Sequence, residues 1–309
     1  MANENKYGLK RSDLTSEQKR QIRKNAGFGC VICGNAIGEY EHIDPEFHEA
    51  REHDVSKMAF LCIGCHGKVT RKIISKDSVK RAAKHPAALK KGFSFDAFDV
   101  SSDEPVLHFG PLSAVGCTYL IRVGERPVLW IKEPEEEGGP FRLNAEMRNK
   151  DGLLILSIID NEWRANIDSW DVETVGPRIK IRNAKGDVAL IIKSEPPRTL
   201  KIEKLDMRME GFRFQCDGDR FTIETPTGDV LEAYESEVGN CLDAILVDES
   251  GLVIGSGRSG KGTNYMKMKS LSFNAKPPAV REPVGRRNAA CRCGSGRRYK
   301  HCCGQFPLY

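Results

Sequence analysis

Eight of the chain's eleven cysteines crowd into two short stretches, at positions 30, 33, 62 and 65 and at 291, 293, 302 and 303. No other feature restricts the fold as much. Two Cys-x-x-Cys hooks, "CVIC" and "CIGC", offer four thiolates from two tight turns, the donor set that zinc takes in a closed tetrahedral site. Whatever residues 30–65 build must therefore return the second hook to the first across an insert of 28 residues. In the distal cluster four thiols fall within 13 residues, too few to enclose an apolar core, so a metal ion must supply the folding energy. Cys30, Cys33, Cys62 and Cys65 are read as one structural zinc site, and Cys291, Cys293, Cys302 and Cys303 as a second.

Such clusters suit a reducing compartment better than a secreted disulfide scaffold. The opening "MANENKYGLKRSDLTSEQ" lacks the apolar stretch of a signal peptide, and no run is long and apolar enough to span a bilayer. A cytoplasmic location is expected. At 309 residues, with 39% hydrophobic and 29% charged content, the chain fits two or three domains with ordinary cores.

Charge is segregated. Residues 1–92 carry 18 Lys/Arg against 11 Asp/Glu, and residues 281–309 carry 7 against 1, whereas residues 93–280 carry 23 against 31. Two basic, cysteine-bearing ends flank an acidic middle, a distribution that directs the ends toward a polyanion.

Along the chain, "TSEQKRQIRKNA" reads as a helix capped by Thr15 or Ser16 and ended by Gly27. "EYEHI" reads as a strand, "KMAFLC" as a second apolar stretch, and "CIGCHGKVTRK" as a helix start. Ser75 caps a further helix that Pro86 stops. From residue 104 to 275 the pattern changes to short β-rich runs with turn signals. Four of them repeat a strand–turn–strand unit whose glycines, Gly152, Gly186, Gly218 and Gly251, lie 34, 32 and 33 residues apart. That interval suggests stacked hairpins in a sandwich or the coils of a β-solenoid. Trp163 and Trp170 are read as core anchors. "GSGRSGKGT" nearly spells a phosphate-binding loop, but Gly262 stands where Ser or Thr must hold magnesium, and a strand follows it; a basic loop is expected.

The stretches "FGCVICG", "YEHIDP" and "FLCIGCHGKVT" resemble the HNH endonuclease family, in the branch whose ββα-metal motif is stapled by a four-cysteine zinc. The resemblance covers about residues 15–92. It implies His42 as general base, with Glu41 and His66 as ligands of a catalytic Mg²⁺ or other divalent ion. Lys57 occupies the place of the family's asparagine, which braces the loop. Lysine cannot accept a hydrogen bond, so either Asp54 or Ser56 substitutes, or Lys57 contacts the phosphate. As consecutive strand residues, Glu41 and His42 require a twist or bulge to serve one site. His48 and His53 are read as loop surface residues, either of which could supply a further metal contact.

"GRRNAACRCGSGRRYKHCCG" closely resembles the SEC-C motif, a small zinc hook that implies protein, ribosome or lipid contacts. Its six basic residues favour an anionic partner.

The expected fold is α+β and multidomain. An HNH zinc module spans 1–92, a β-rich domain (sandwich or solenoid) spans 93–274, a linker 275–288, and a SEC-C hook 289–309. The expected activity is metal-dependent hydrolysis of phosphodiester bonds, most readily in DNA, in a defence or mobile-element setting. Arg71, Lys72, Lys80 and Lys84 would engage phosphates. The competing expectation is a non-cutting adaptor that binds nucleic acid or a ribonucleoprotein through two zinc-supported ends.

Overall fold

The computed structural model describes residues 4–274 and 297–298. Of these, 48% are in strands and 14% in helices. The α+β expectation is thereby corrected: the chain has a β-rich fold, and no separate ββα-metal module is evident among the described residues. The reason lies in the long middle of the chain, where period-two apolar alternation drives two large sheets. The few helices are short; Ser16–Asn25 and Ala87–Lys91 contact strands of that β body, whereas Ile63–Thr70 packs on a small two-stranded sheet.

The amino-terminal elements are helix α1 (Ser16–Asn25), strand β1 (Gly38–His42), strand β2 (Met58–Cys62), and helices α2 (Ile63–Thr70), α3 (Lys76–Lys84) and α4 (Ala87–Lys91). Thr15 caps α1, its hydroxyl accepting from the Gln18 amide while the Gln18 side chain reaches back. Ser75 caps α3 in the same manner, accepting from Ser78 N–H. Strand β3 (Phe93–Ala97) follows and joins the β body as an edge strand beside Glu162–Asn166.

Eight strands form one sheet, from Gly251–Ser256 at one edge to β3 at the other. A second sheet has ten strands and starts at Asp171–Val175. Both contribute to one continuous core that includes Leu120, Ile121 and Trp163 from the first and Phe109, Phe214 and Phe221 from the second. In the larger sheet two hairpins share the gap between the long strands Thr199–Met209 and Val230–Gly239. One hairpin is Val106–Phe109 with Leu112–Val115, and the other is Phe212–Asp217 with Arg220–Glu224. They meet tip to tip. A Cβ at Gly110 would lie 2.8 Å from both Cys216 Sγ and the Gly218 carbonyl oxygen, and its φ of +53° also favours glycine.

The four glycines spaced near 33 residues do each turn an antiparallel hairpin, at φ between +59° and +133°. Two of these hairpins belong to each sheet. Solenoid coils would pair in parallel, so that alternative fails. Trp163 is a core anchor at 2% exposure, but Trp170 is only half-buried and carries the Arg20 guanidinium 4.4 Å above its ring. The near-P-loop lysine, Lys261, is held by Glu104 and Glu133 at 3.1 and 2.7 Å.

Helix α1 docks on the larger sheet through a buried ion pair. Arg23 and Asp171, 4% and 2% exposed, form a two-pronged bond at 2.8 and 2.9 Å, and Arg182 completes Asp171 at 2.6 Å. Lys24 adds bonds to the carbonyls of Ile167 and Ser169. Breaking a pair of this kind strands a buried charge, at a cost of about 3–5 kcal/mol. Asp171→Ala should therefore lower unfolding free energy by about that amount, read by urea titration. A fall under about 1 kcal/mol would mean that the pair is solvated.

Candidate metal centre and histidine cluster

The first hook is shaped by close backbone approach. A Cβ at Gly29 would lie 2.3 Å from the Gly34 carbonyl oxygen, so only glycine allows the turn that presents Cys30 and Cys33. Within it Cys30 N–H donates to Asn35 O and Gly34 N–H to Cys30 O, both at 2.8 Å. The second hook lies where β2 passes into α2. Cys62 caps that helix, its sulfur accepting from Cys65 N–H at 3.3 Å. Strands β1 and β2 pair antiparallel, Gly38 opposite Cys62 and His42 opposite Met58, and Val31 N–H bonds Phe60 O to bring the hooks together.

The four sulfurs lie within 4.8 Å of one another, so Cys30, Cys33, Cys62 and Cys65 could hold a metal ion. An all-thiolate set is consistent with zinc. Burial raises the thiols of Cys33, to about 11, and of Cys65, whereas for Cys62 burial is outweighed by the Cys65 amide and neighbouring thiols, which lower it. A divalent cation would relieve that opposition to thiolate formation. The distal quartet, Cys291, Cys293, Cys302 and Cys303, lies outside the described residues.

Glu41 and His66 are brought together, and both are buried. Glu41 Oε2 lies 3.2 Å from His66 Nε2 yet makes no hydrogen bond. The other nitrogen of His66, Nδ1, is engaged by Glu39 Oε2 at 2.7 Å. Lys76, the first residue of α3, pairs with Glu41 Oε1 and donates to the His42 carbonyl at 2.8 Å. Arg11 stands 4.0 Å from Glu41 Oε2.

His42 turns to different partners, as strand alternation requires. Its Nε2 is 3.1 Å from His53 Nδ1, and Phe47 packs against its ring with centroids 5.4 Å apart. Its Nδ1 is buried without a hydrogen bond. Burial, then His53 and Arg11, lowers the His42 pKa to about 4, so the imidazole is neutral at pH 7. His42 also lines a cleft with Pro45, Arg51, Asp54 and Lys57.

His48 is exposed, as expected of a loop residue, but His53 is buried at 8%. Sequence spacing gave no sign of its role, because its contacts come from residues 10 and 42. The Asp54 carboxylate accepts from Ser56 N–H at 2.9 Å and pairs with the largely exposed Lys57 at 3.3 Å. Arg71, Lys72, Lys80 and Lys84 are all exposed, Lys80 paired with Asp44 at 3.0 Å.

A β-rich chain with a four-cysteine cluster that could hold a metal ion near one end thus carries, at the other, a SEC-C motif matched over residues 287–305. Curated relatives are named "Protein translocase subunit SecA". That of Alkaliphilus oremlandii is 28% identical over 172 residues, covering 55% of this chain and 15% of that protein. Those of Campylobacter hominis and Treponema denticola are 24% and 26% identical, covering 55% and 57% of this chain and 18% of each relative. The chain therefore spans less than a fifth of the length of these relatives. No solved structure matches. Among the described residues no helix is long and apolar enough to cross a membrane.

Proposed function

We infer that the chain is a metal-dependent endonuclease, the activity that the HNH resemblance implies, acting on DNA. One observation carries this reading: Glu41 Oε2, a buried oxygen without a hydrogen bond, stands 3.2 Å from Nε2 of the buried His66. A His66 that donates from Nδ1 to Glu39 would offer the lone pair of Nε2 beside that oxygen, two donor atoms that a divalent cation could bridge. Glu41 and His66 would hold that cation, Mg²⁺ or another divalent ion, with Glu39 orienting the imidazole. When bound, it would offset charge developing on a phosphodiester.

His42 is the base in this reading. Its Nδ1 has no hydrogen-bond partner and would accept the proton of an attacking water. Lys76 ties the Glu41 carboxylate to the His42 backbone and so fixes one against the other. Exposed Arg71, Lys72, Lys80 and Lys84 would meet backbone phosphates, and Lys57 stands beside His42 at the cleft. The SEC-C tail would contact a protein or ribonucleoprotein partner.

A second reading, a non-cutting nucleic-acid adaptor, is favoured by Lys76, whose ammonium already neutralises part of Glu41. Supercoiled plasmid incubated with the protein and Mg²⁺ or Mn²⁺ separates the two. Nicking by the parent, lost in Glu41→Gln and His66→Ala, is expected of the endonuclease. Retarded but uncut plasmid with all three proteins would establish the adaptor.

A further inference from the structure

The loop between β1 and β2 is strapped down by the chain's first residues. Asn5 Nδ2 donates to the carbonyls of Phe47 and Ala50 at 2.6 and 2.7 Å, and Gln18 Nε2 donates to His53 O at 3.0 Å. Inside this strap His53 makes two ring contacts, Nε2 to the Lys10 carbonyl at 2.9 Å and Nδ1 to His42 Nε2 at 3.1 Å.

With both imidazoles neutral, these contacts fix where the protons sit. A carbonyl oxygen only accepts, so His53 Nε2 must carry hydrogen. In a neutral imidazole the other nitrogen is then a bare acceptor, and His53 Nδ1 can only receive. His42 Nε2 must therefore donate. A neutral His42 that donates from Nε2 keeps its lone pair on Nδ1, the atom that is buried and free of hydrogen bonds. We propose that His53, anchored by the Lys10 carbonyl, is a positioning residue that holds His42 in the tautomer whose Nδ1 can accept a proton. The relay runs Lys10 O, His53, His42, and it ends on the lone pair that the endonuclease reading requires; the inference rests on that reading for its purpose. The arrangement parallels a hydrolytic triad, with a backbone carbonyl and a second imidazole in place of the orienting carboxylate.

Two variants and one spectrum test it. His53→Leu removes both contacts, while His53→Asn places an amide oxygen near the position of Nδ1 and so keeps an acceptor for His42. If His53 positions the base, His53→Leu should slow plasmid nicking roughly 10- to 100-fold, short of complete loss of a general base. His53→Asn should recover most of the rate. Nicking by His53→Leu at the parent's rate would overturn the proposal. So would His53→Asn as slow as His53→Leu while melting at the parent's temperature.

Long-range ¹H–¹⁵N spectra of histidine-labelled protein, with His42 assigned by its loss in His42→Ala, read the tautomer without any activity. A single Nε2–H form that gives way to averaged signals in His53→Leu is expected; an Nδ1–H form of His42 would overturn the relay. Should the parent fail to nick, the endonuclease reading falls, and the spectrum still decides the hydrogen-bond chain.

Discussion

Replacing Cys62 with serine should cost the chain one metal ion and the order of its amino-terminal elements together. Cys62 is at once a candidate ligand, the last residue of β2 and the cap of α2. The apolar cluster beneath these elements is small, built on Leu14, Ile22, Val31, Phe60, Leu61, Val69 and Val79, with three of the four cysteines among its members. A core of that size is marginal without a staple, and a structural zinc contributes an apparent ~10–16 kcal/mol to folding in small metal-dependent domains. Elemental analysis should find about two zinc ions per parent chain under the two four-cysteine sets, and one fewer in Cys62→Ser. Amide hydrogen exchange should lose protection across residues 15–92 while the two large sheets keep theirs, because their core contains no metal ligand from this cluster. Full protection in a zinc-free variant would show that packing alone holds the hooks.

His42→Ala should lower the nicking rate by roughly 100- to 10,000-fold, the range that general acid–base catalysis contributes. That corresponds to about 3–5 kcal/mol of transition-state stabilisation. The ring is buried but sits at the end of β1, packed against Phe47 and His53, and far from the cysteine cluster in bonding terms. Zinc content should therefore be unchanged, and binding to plasmid should persist, so that the loss falls on turnover. A variant that nicks as the parent does would remove His42 from the reaction whatever its geometry.

Features set by short spacing were legible in the sequence. The cysteine hooks, the Thr15 and Ser75 caps and the four hairpin glycines each depend on neighbours within a few residues, and all of them formed. Features set by distant contacts were not. Arg23 reaches Asp171 across 148 residues, and nothing near either marks it as a buried ion partner. His53 looked like a loop residue because its burial depends on the strap formed by residues 5–18. Which strands pair was likewise not legible, because contacts such as the parallel one of Ser236 with Leu112 join distant segments and leave no local signature. Glu41 and His66 did come together, and Glu39, which completes their contact, was overlooked although alternation along β1 places it on the same face as Glu41, a signal that could have found it.

The tip-to-tip hairpins have a practical consequence for anyone who wishes to attach a reporter to this molecule. An extra residue at Gly110 would have to displace the opposing apex, which already stands against it. The turn at Gly186 has no atom within 4 Å of where a side chain would begin. Fluorophores or affinity handles belong beside the latter, at the exposed Lys185, with Gly186 itself kept because its φ of +80° favours glycine.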